Sequence, residues 1–169
     1  MRPLTSSRPK VMLLAGGRPF IEHVFLRAFN AGIDEFIFVV GYRSESILKK
    51  YKDDSDFGVK IEYAVQKEQL GTGHAVMAAQ RMVHDRFLVL NGDVLTDVSS
   101  LKIMMEIEGF AVAAKKVADP SRYGVLEIKD GLLRSVIEKS RSPPSNLANA
   151  GIYLLNLCGL RYFERYSSL

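Results

Sequence analysis

The chain is predicted to be an α/β protein with a doubly wound, mostly parallel sheet, and three observations point to that class. Strand-like and helix-like segments alternate from Ile21 to Asn91. The run Glu35 to Val40 (EFIFVV) is almost continuously apolar, the pattern of a strand buried on both faces of a parallel sheet. A second apolar strand, Phe87 to Asn91 (FLVLN), ends directly on Gly92-Asp93. Strand, helix, strand, helix, strand is the order that builds such a sheet. Right-handed crossovers then place the loops after successive strands at one edge. The loop after Val65 and the loop after Leu90 should therefore meet, bringing Gln66, Gly71, Thr72 and Asp93 near one another.

The elements follow in order. Ile21, Val24, Phe25, Ala28 and Phe29 fall at helical spacing, with Pro19 in the first turn and Gly32 at the end. After EFIFVV, a short helix is expected from about Ser44 to Tyr51. Val59, Ile61, Tyr63 and Val65 alternate with Lys60, Glu62 and Ala64, a half-buried strand. A helix from about Gly73 to Val83 leads to Phe87–Asn91. Beyond Asp93 the pattern changes. A helix near Ser100 to Ile107 precedes an apolar strand, Phe110 to Val117, that turns basic at Lys115 and Lys116. Two short strands, Gly124–Ile128 and Leu132–Lys139, flank Asp130-Gly131, a strong hairpin signal. Arg141 to Asn146 reads as a loop, Gly151 to Leu155 as a strand, and Leu157 to Tyr166 as a terminal helix.

Composition bounds the function classes. A length of 169 residues supports one domain, and 47% hydrophobic with 25% charged residues is ordinary for a globular protein. The net charge of +4 comes from dispersed lysines and arginines, so no nucleic-acid footprint is indicated. Cys158, the single cysteine, forms no intrachain disulfide and is expected to be a small buried hydrophobe. His23, His74 and His84 show no metal-ligand spacing with it. No apolar run spans a bilayer and the first ten residues lack a signal-peptide core, so a cytoplasmic protein without a membrane partner is expected.

Two motifs carry chemistry of their own. In Asn91-Gly92-Asp93 a carboxylate follows an apolar strand, at the end where α/β sheets bind ligands. A hard carboxylate there suits Mg²⁺, which joins one or two protein oxygens to phosphates. A turn aspartate or a helix N-cap would look the same. In Gln66 to Ala75 (QKEQLGTGHA) the glycines at 71 and 73 free the backbone for close approach. An amide and an exposed backbone can pair with the imide edge of uracil or thymine. A glycine-rich turn with Thr72 as helix cap is the plainer alternative.

Taken in order, Arg8-Pro9-Lys10, QLGTGHA, NGD, Glu138-Lys139 and Asn149-Ala150-Gly151 resemble the sugar-1-phosphate nucleotidylyltransferases, the nucleoside-diphosphate-sugar pyrophosphorylases. The similarity is greatest to archaeal-type bifunctional UDP-N-acetylglucosamine pyrophosphorylases and glucose-1-phosphate nucleotidylyltransferases. It implies a Rossmann-like nucleotidyltransferase fold. It also implies transfer of a nucleotidyl group from a nucleoside triphosphate to a sugar 1-phosphate with Mg²⁺. UTP is favoured over dTTP, because LGTGHA is most similar to the uridylyltransferases. Carried over, Lys10 contacts the nucleotide phosphates, Asp93 the metal and Lys139 the sugar phosphate. Gln66, Gly71 and Thr72 would read the base. Gly124, Glu138 and Asn149 would hold the sugar. Leu14, Arg18 and Ser140 depart from the family's usual proline, lysine and proline.

The same resemblance divides the chain into a nucleotide-binding half, about residues 1–98, and an incomplete sugar-binding half, about 99–169. Relatives begin with a strand and a glycine-rich loop whose tail matches Met1 to Thr5. The expectation is an internal piece of a longer enzyme, with a homo-oligomer possible at full length, or a gene with a misplaced start, and little activity from this chain alone. Loss of a central strand would leave buried backbone groups unpaired at about 1–3 kcal/mol each, against a total stability of about 5–15 kcal/mol. A regulatory binding module of the same fold is the alternative. A GT-A glycosyltransferase is disfavoured, because Asp93-Val94-Leu95 lacks a second carboxylate.

Overall fold

The computed structural model describes residues 9–41, 44–51 and 58–160. The tail motif at Met1 to Thr5 lies outside them, as do Arg8 and the terminal helix beyond Leu160. A 3₁₀ turn at Lys10–Met12 leads into a small hairpin of β1 (Leu14–Ala15) and β2 (Arg18–Pro19). Helix α1 (Phe20–Asn30) then feeds β3 (Glu35–Val40), α2 (Glu45–Lys50), β4 (Lys60–Val65), α3 (Thr72–Ala78) and β5 (Arg86–Leu90). The remainder is α4 (Val98–Glu106), β6 (Ala111–Lys116), β7 (Gly124–Lys129), β8 (Leu132–Glu138) and β9 (Leu147–Asn156).

The mixed α/β class is as expected, and the sheet divides in two. Strands β3 and β4 pair in parallel, in register from Glu35–Lys60 to Val40–Val65. Strand β5 instead pairs antiparallel with β9, from Arg86–Asn156 to Leu90–Ile152. Strand β9 is the spine of the second sheet. It carries β6 along one edge, with β5 and the start of β7 along the other. Strand β8 closes the outer side against β7. Among the described residues no ladder joins β3 to β5.

Helices cover both faces. Ala28 of α1 and Leu101 and Met104 of α4 bury against Ile152 and Leu154 of β9. On the other face Val76 of α3 packs on Leu155. Phe25 sits on Val59 and Ile61, with its ring centroid 4.6 Å from that of Phe36. Helix α4 begins at Asp97, whose Oδ1 accepts from the Ser100 N–H at 2.8 Å. The Ser99 and Ser100 hydroxyls also donate to it, the Ser99 bond being the larger influence, and they hold its carboxyl well below the usual range. The Asp130-Gly131 turn has positive φ at both residues (53° and 75°), as a two-residue hairpin of this twist requires.

Several expectations fail for local reasons. Phe29 is 39% exposed, because the α1 stripe that faces the sheet ends with Ala28. Val65 is 61% exposed at the point where β4 leaves the sheet, and Ala64 is buried instead. Helix α3 stops at Ala78. Beyond it the backbone bonds tighten to the third residue back, as in Gln80 N–H to Met77 O and Met82 N–H to Ala79 O. Cys158 is exposed, since Leu160 takes the buried position of that turn. Strand β9 begins at Leu147, so Asn149-Ala150-Gly151 lies inside a strand rather than ahead of one. No helix among the described residues is long and apolar enough to cross a membrane.

Candidate functional site

Asp93 sits just past β5 and is exposed, as the strand-then-glycine pattern requires. Its Oδ2 accepts from the Lys10 ammonium at 2.7 Å. The two side chains are 40% and 51% exposed. A pair so wetted contributes about 0–1 kcal/mol, so either group can be handed to a ligand at little cost. Gly92 lets this happen, because a Cβ there would come within 3.3 Å of Val11, the residue after Lys10.

The glycine-rich turn lies at the same end of the sheet. Gly71 is the residue ahead of α3, with φ of 99°, and no side chain caps the helix. Thr72 is the first helical residue and does not act as the cap. The Gln66 amide nitrogen lies 3.2 Å from the Gly71 carbonyl, to which it donates, and 3.1 Å from His74 Nδ1. Gln66 thus ties the end of β4 to the start of α3. His74 serves this turn.

A polar pocket of about 220 Å³ joins the two halves of the chain. Thr72 and Asn91 line it from the first half, with Gly124, Glu138, Asn149 and Tyr153 from the second. Gly124 stands opposite Glu138 in the β7–β8 ladder, and a Cβ at 124 would meet the Glu138 carboxylate at 2.5 Å. The glycine is what leaves room for the carboxylate to turn inward. Asn149 donates to the Tyr153 hydroxyl at 2.6 Å and accepts from the Gly151 N–H at 2.9 Å. Gly151 has φ of 69°, and a Cβ there would overlap the Asn91 side-chain amide. Lys139 follows β8 with φ of 44°, its N–H bonded to the Tyr123 carbonyl at 3.1 Å. Such a backbone is uncommon for a long side chain and is found at functional positions more than elsewhere.

The structure therefore brings together Lys10 with Asp93, Gln66 with Gly71, and Thr72 with Gly124, Glu138 and Asn149. Sequence reasoning missed Tyr153. Asn149 and Tyr153 pair with Ala114 and Val112, two residues apart on β6, so they share a face across the irregularity between them. Asn91, quoted only as part of a motif, proves to be a lining residue.

Among the described residues no group of three or more His, Cys, Asp or Glu could hold a metal by itself. A single exposed carboxylate, with one oxygen tied to a weakly held lysine, fits an Mg²⁺ that arrives on a polyphosphate and keeps much of its water. It does not fit an ion caged by the protein.

The nucleotidyl transferase family profile matches residues 1–166. The chain is 41% identical over 156 residues to the bifunctional protein GlmU of Methanococcus maripaludis, covering 90% of this chain and 36% of that protein. It is 36% identical to the UTP–glucose-1-phosphate uridylyltransferase AglF of Haloferax volcanii, covering 90% and 65%. It is 33% identical to a D-glycero-alpha-D-manno-heptose 1-phosphate guanylyltransferase of Campylobacter jejuni, covering 92% and 70%. The fold superposes on a Bacillus anthracis protein described as a putative glucose-1-phosphate thymidylyltransferase with a TM-score of 0.84 and 26% identity, over 96% of this chain and 68% of that one. The chain thus spans just over a third of the GlmU proteins it matches. With the profile covering nearly every residue and the fold agreeing, the chain belongs to the sugar-1-phosphate nucleotidyltransferase family.

Proposed function

We propose that this chain carries the nucleotide- and sugar-facing surfaces of an enzyme that transfers a nucleotidyl group from UTP to a sugar 1-phosphate, releasing pyrophosphate. The observation that carries the reading is the Lys10–Asp93 pair at 2.7 Å, at the same sheet end as a polar pocket shared by Thr72, Gly124, Glu138 and Asn149. In this reading residues 1–98 face the nucleotide and 99–169 the sugar. Relatives named for uridylyl and guanylyl transfer both match, so UTP is preferred on the LGTGHA turn alone, with dTTP as the nearest rival.

The chemistry needs no covalent enzyme intermediate. A sugar phosphate oxygen attacks the α-phosphorus, and pyrophosphate leaves from the opposite side. Mg²⁺ arriving with the triphosphate would be held by Asp93 and would neutralise phosphate charge. Lys10, released from Asp93, moves its ammonium to the nucleotide phosphates. Lys139 holds the sugar phosphate, while Glu138 and Asn149 fix hydroxyls so that the attacking oxygen is in line. Gln66 and the Gly71–Thr72 backbone select the base. The protein would work in the cytoplasm, as a homo-oligomer in its longer form. Residues 1–169 alone would turn over slowly or not at all.

A non-catalytic nucleotide-sugar-binding module of the same fold is the second reading. Retention of Lys10, Asp93 and Lys139 together argues against it. The two separate on calorimetry with UTP and Mg²⁺ beside pyrophosphate release from the longer polypeptide. The enzyme reading expects Asp93→Ala to lower turnover about 100-fold or more while the fold persists by circular dichroism. Turnover unchanged by Asp93→Ala would overturn it, as would binding without any turnover in the longer polypeptide.

A further inference from the structure

His74 enters no step of the proposed reaction, yet it holds a side chain that does. The Gln66 amide nitrogen lies 3.2 Å from the Gly71 carbonyl oxygen and 3.1 Å from His74 Nδ1. A carbonyl only accepts, so the nitrogen end of the amide, and not its oxygen, faces Gly71. An amide nitrogen only donates, so His74 Nδ1 accepts, and the proton of the neutral imidazole sits on Nε2. The amide nitrogen has two hydrogens, and these two acceptors use both. Any bond from the Gln66 side chain to a ligand is then made by its oxygen. The residue is held from its backbone as well, where the Gln66 N–H donates to the Val40 carbonyl at 2.8 Å. The Gly71 carbonyl is filled in turn. It accepts from Gln66 and from the Ala75 N–H at 3.2 Å, which uses its two lone pairs. The acceptor that Gln66 and Gly71 can offer between them is therefore the Gln66 oxygen.

On the reading that this turn meets the base, we propose that His74 is a positioning residue that sets the polarity of base selection. It keeps the nitrogen of the Gln66 amide occupied and leaves the oxygen as the end that meets the base. The turn then accepts a base with a ring N–H on its pairing edge and rejects one with a bare ring nitrogen there. Uracil, thymine and guanine are of the first kind, cytosine and adenine of the second. An oxygen facing the N–H gains a hydrogen bond. An oxygen facing the bare nitrogen sets two lone pairs against each other and leaves both unpaired, which is how a polar site rejects a near-copy of its ligand. The position of His74 suits this task. It lies within the first turn of α3, on the helix whose leading residue is preceded by Gly71. Nδ1 of a histidine stands two bonds beyond Cβ, the same reach as the side-chain oxygen of an asparagine. Without an acceptor at 74, the amide keeps its bond to Gly71 alone. Its second hydrogen is then available to a bare ring nitrogen, and the discrimination falls.

The test uses the 169-residue chain and the variants His74→Asn and His74→Phe, each checked for folding by circular dichroism. Asparagine keeps an acceptor at the place of Nδ1, and phenylalanine keeps a ring without one. Heteronuclear NMR of the unaltered chain without ligand should show neutral His74 protonated at Nε2 and bare at Nδ1. In titrations with Mg²⁺ present, the unaltered chain should bind UTP about tenfold or more tighter than CTP. His74→Phe should narrow that ratio about threefold to tenfold, and His74→Asn should restore most of it. A merely structural role would weaken both nucleotides together and leave the ratio unmoved. A proton on Nδ1 overturns the positioning of Gln66 by His74. A ratio unmoved by His74→Phe, or narrowed equally by His74→Asn, overturns the role in selection, as does equal binding of UTP and CTP to the unaltered chain. Should His74→Phe not fold, the tautomer and His74→Asn, whose ratio must stay near that of the unaltered chain, carry the test. An unaltered chain that binds neither nucleotide overturns the proposed function and base selection with it, while the tautomer still decides whether His74 positions Gln66.

Discussion

Strands β9 and β3 are both largely apolar and are buried to different degrees. In β9, Ala148, Ile152, Leu154 and Leu155 are buried, and the strand has neighbours along both edges. In the β3–β4 pair, EFIFVV is as apolar as any segment of the chain, yet only Val40 is buried and Val39 is 37% exposed. Hydrophobic sequence is therefore not sufficient for burial. A strand is buried on both faces only when strands flank it, because its neighbours carry the helices that cover it.

The comparison can be broken most directly by matched truncations. Leu126→Ala should cost about 2–5 kcal/mol, the usual loss for a packed core leucine. Ile37→Ala, in β3, should cost less than about 1.5 kcal/mol, because part of its surface is already wet. Equal losses in urea unfolding would mean that β3 is as well covered in solution as β7.

A second experiment concerns the seam between the halves. Gly151→Ala should cost about 1–3 kcal/mol, from its left-handed backbone and from displacing the Asn91 amide. Because Asn91 lines the pocket beside Asp93, ligand affinity should fall with stability. A variant with unchanged melting temperature would show that the seam adapts.

The smallest effect is at the α1–α2 contact. The Tyr51 hydroxyl donates to buried Glu22 at 3.4 Å, and Arg18 and Lys50 also contact that carboxylate. Burial first, then the Glu22 charge, push the Tyr51 hydroxyl well above its ordinary 10.0. The unfolded chain then releases this proton before the folded one does. Stability from the contact is complete below pH 10 and declines as pH rises from there toward the raised value. Tyr51→Phe should flatten that alkaline decline in thermal melts, and an identical slope would remove Tyr51 as its source.

Much of the candidate site's local geometry was legible in the sequence. Asp93 after an apolar strand, the Gly71 turn and the Asp130-Gly131 hairpin depend on neighbours in sequence, where backbone preferences act directly. Tyr153 was missed because the start of β9 was placed four residues late. A polar Asn149 and a positive-φ Gly151 look like a turn until β6 and β7 are seen to pair across them. Cys158 and Phe29 were misassigned because their exposure depends on which neighbour takes the buried position.

The sequence by itself determined most of the order of strands and helices and where the glycine turns fall, since those follow from local spacing and from glycine's backbone freedom. Only the tertiary structure decided that Lys10 meets Asp93 across 83 positions, that β9 pairs with β5, β6 and β7, and that no ladder joins β3 to β5 among the described residues. Such contacts arise from chain packing, where distant segments compete for the same buried surface, and no local pattern records which of them wins.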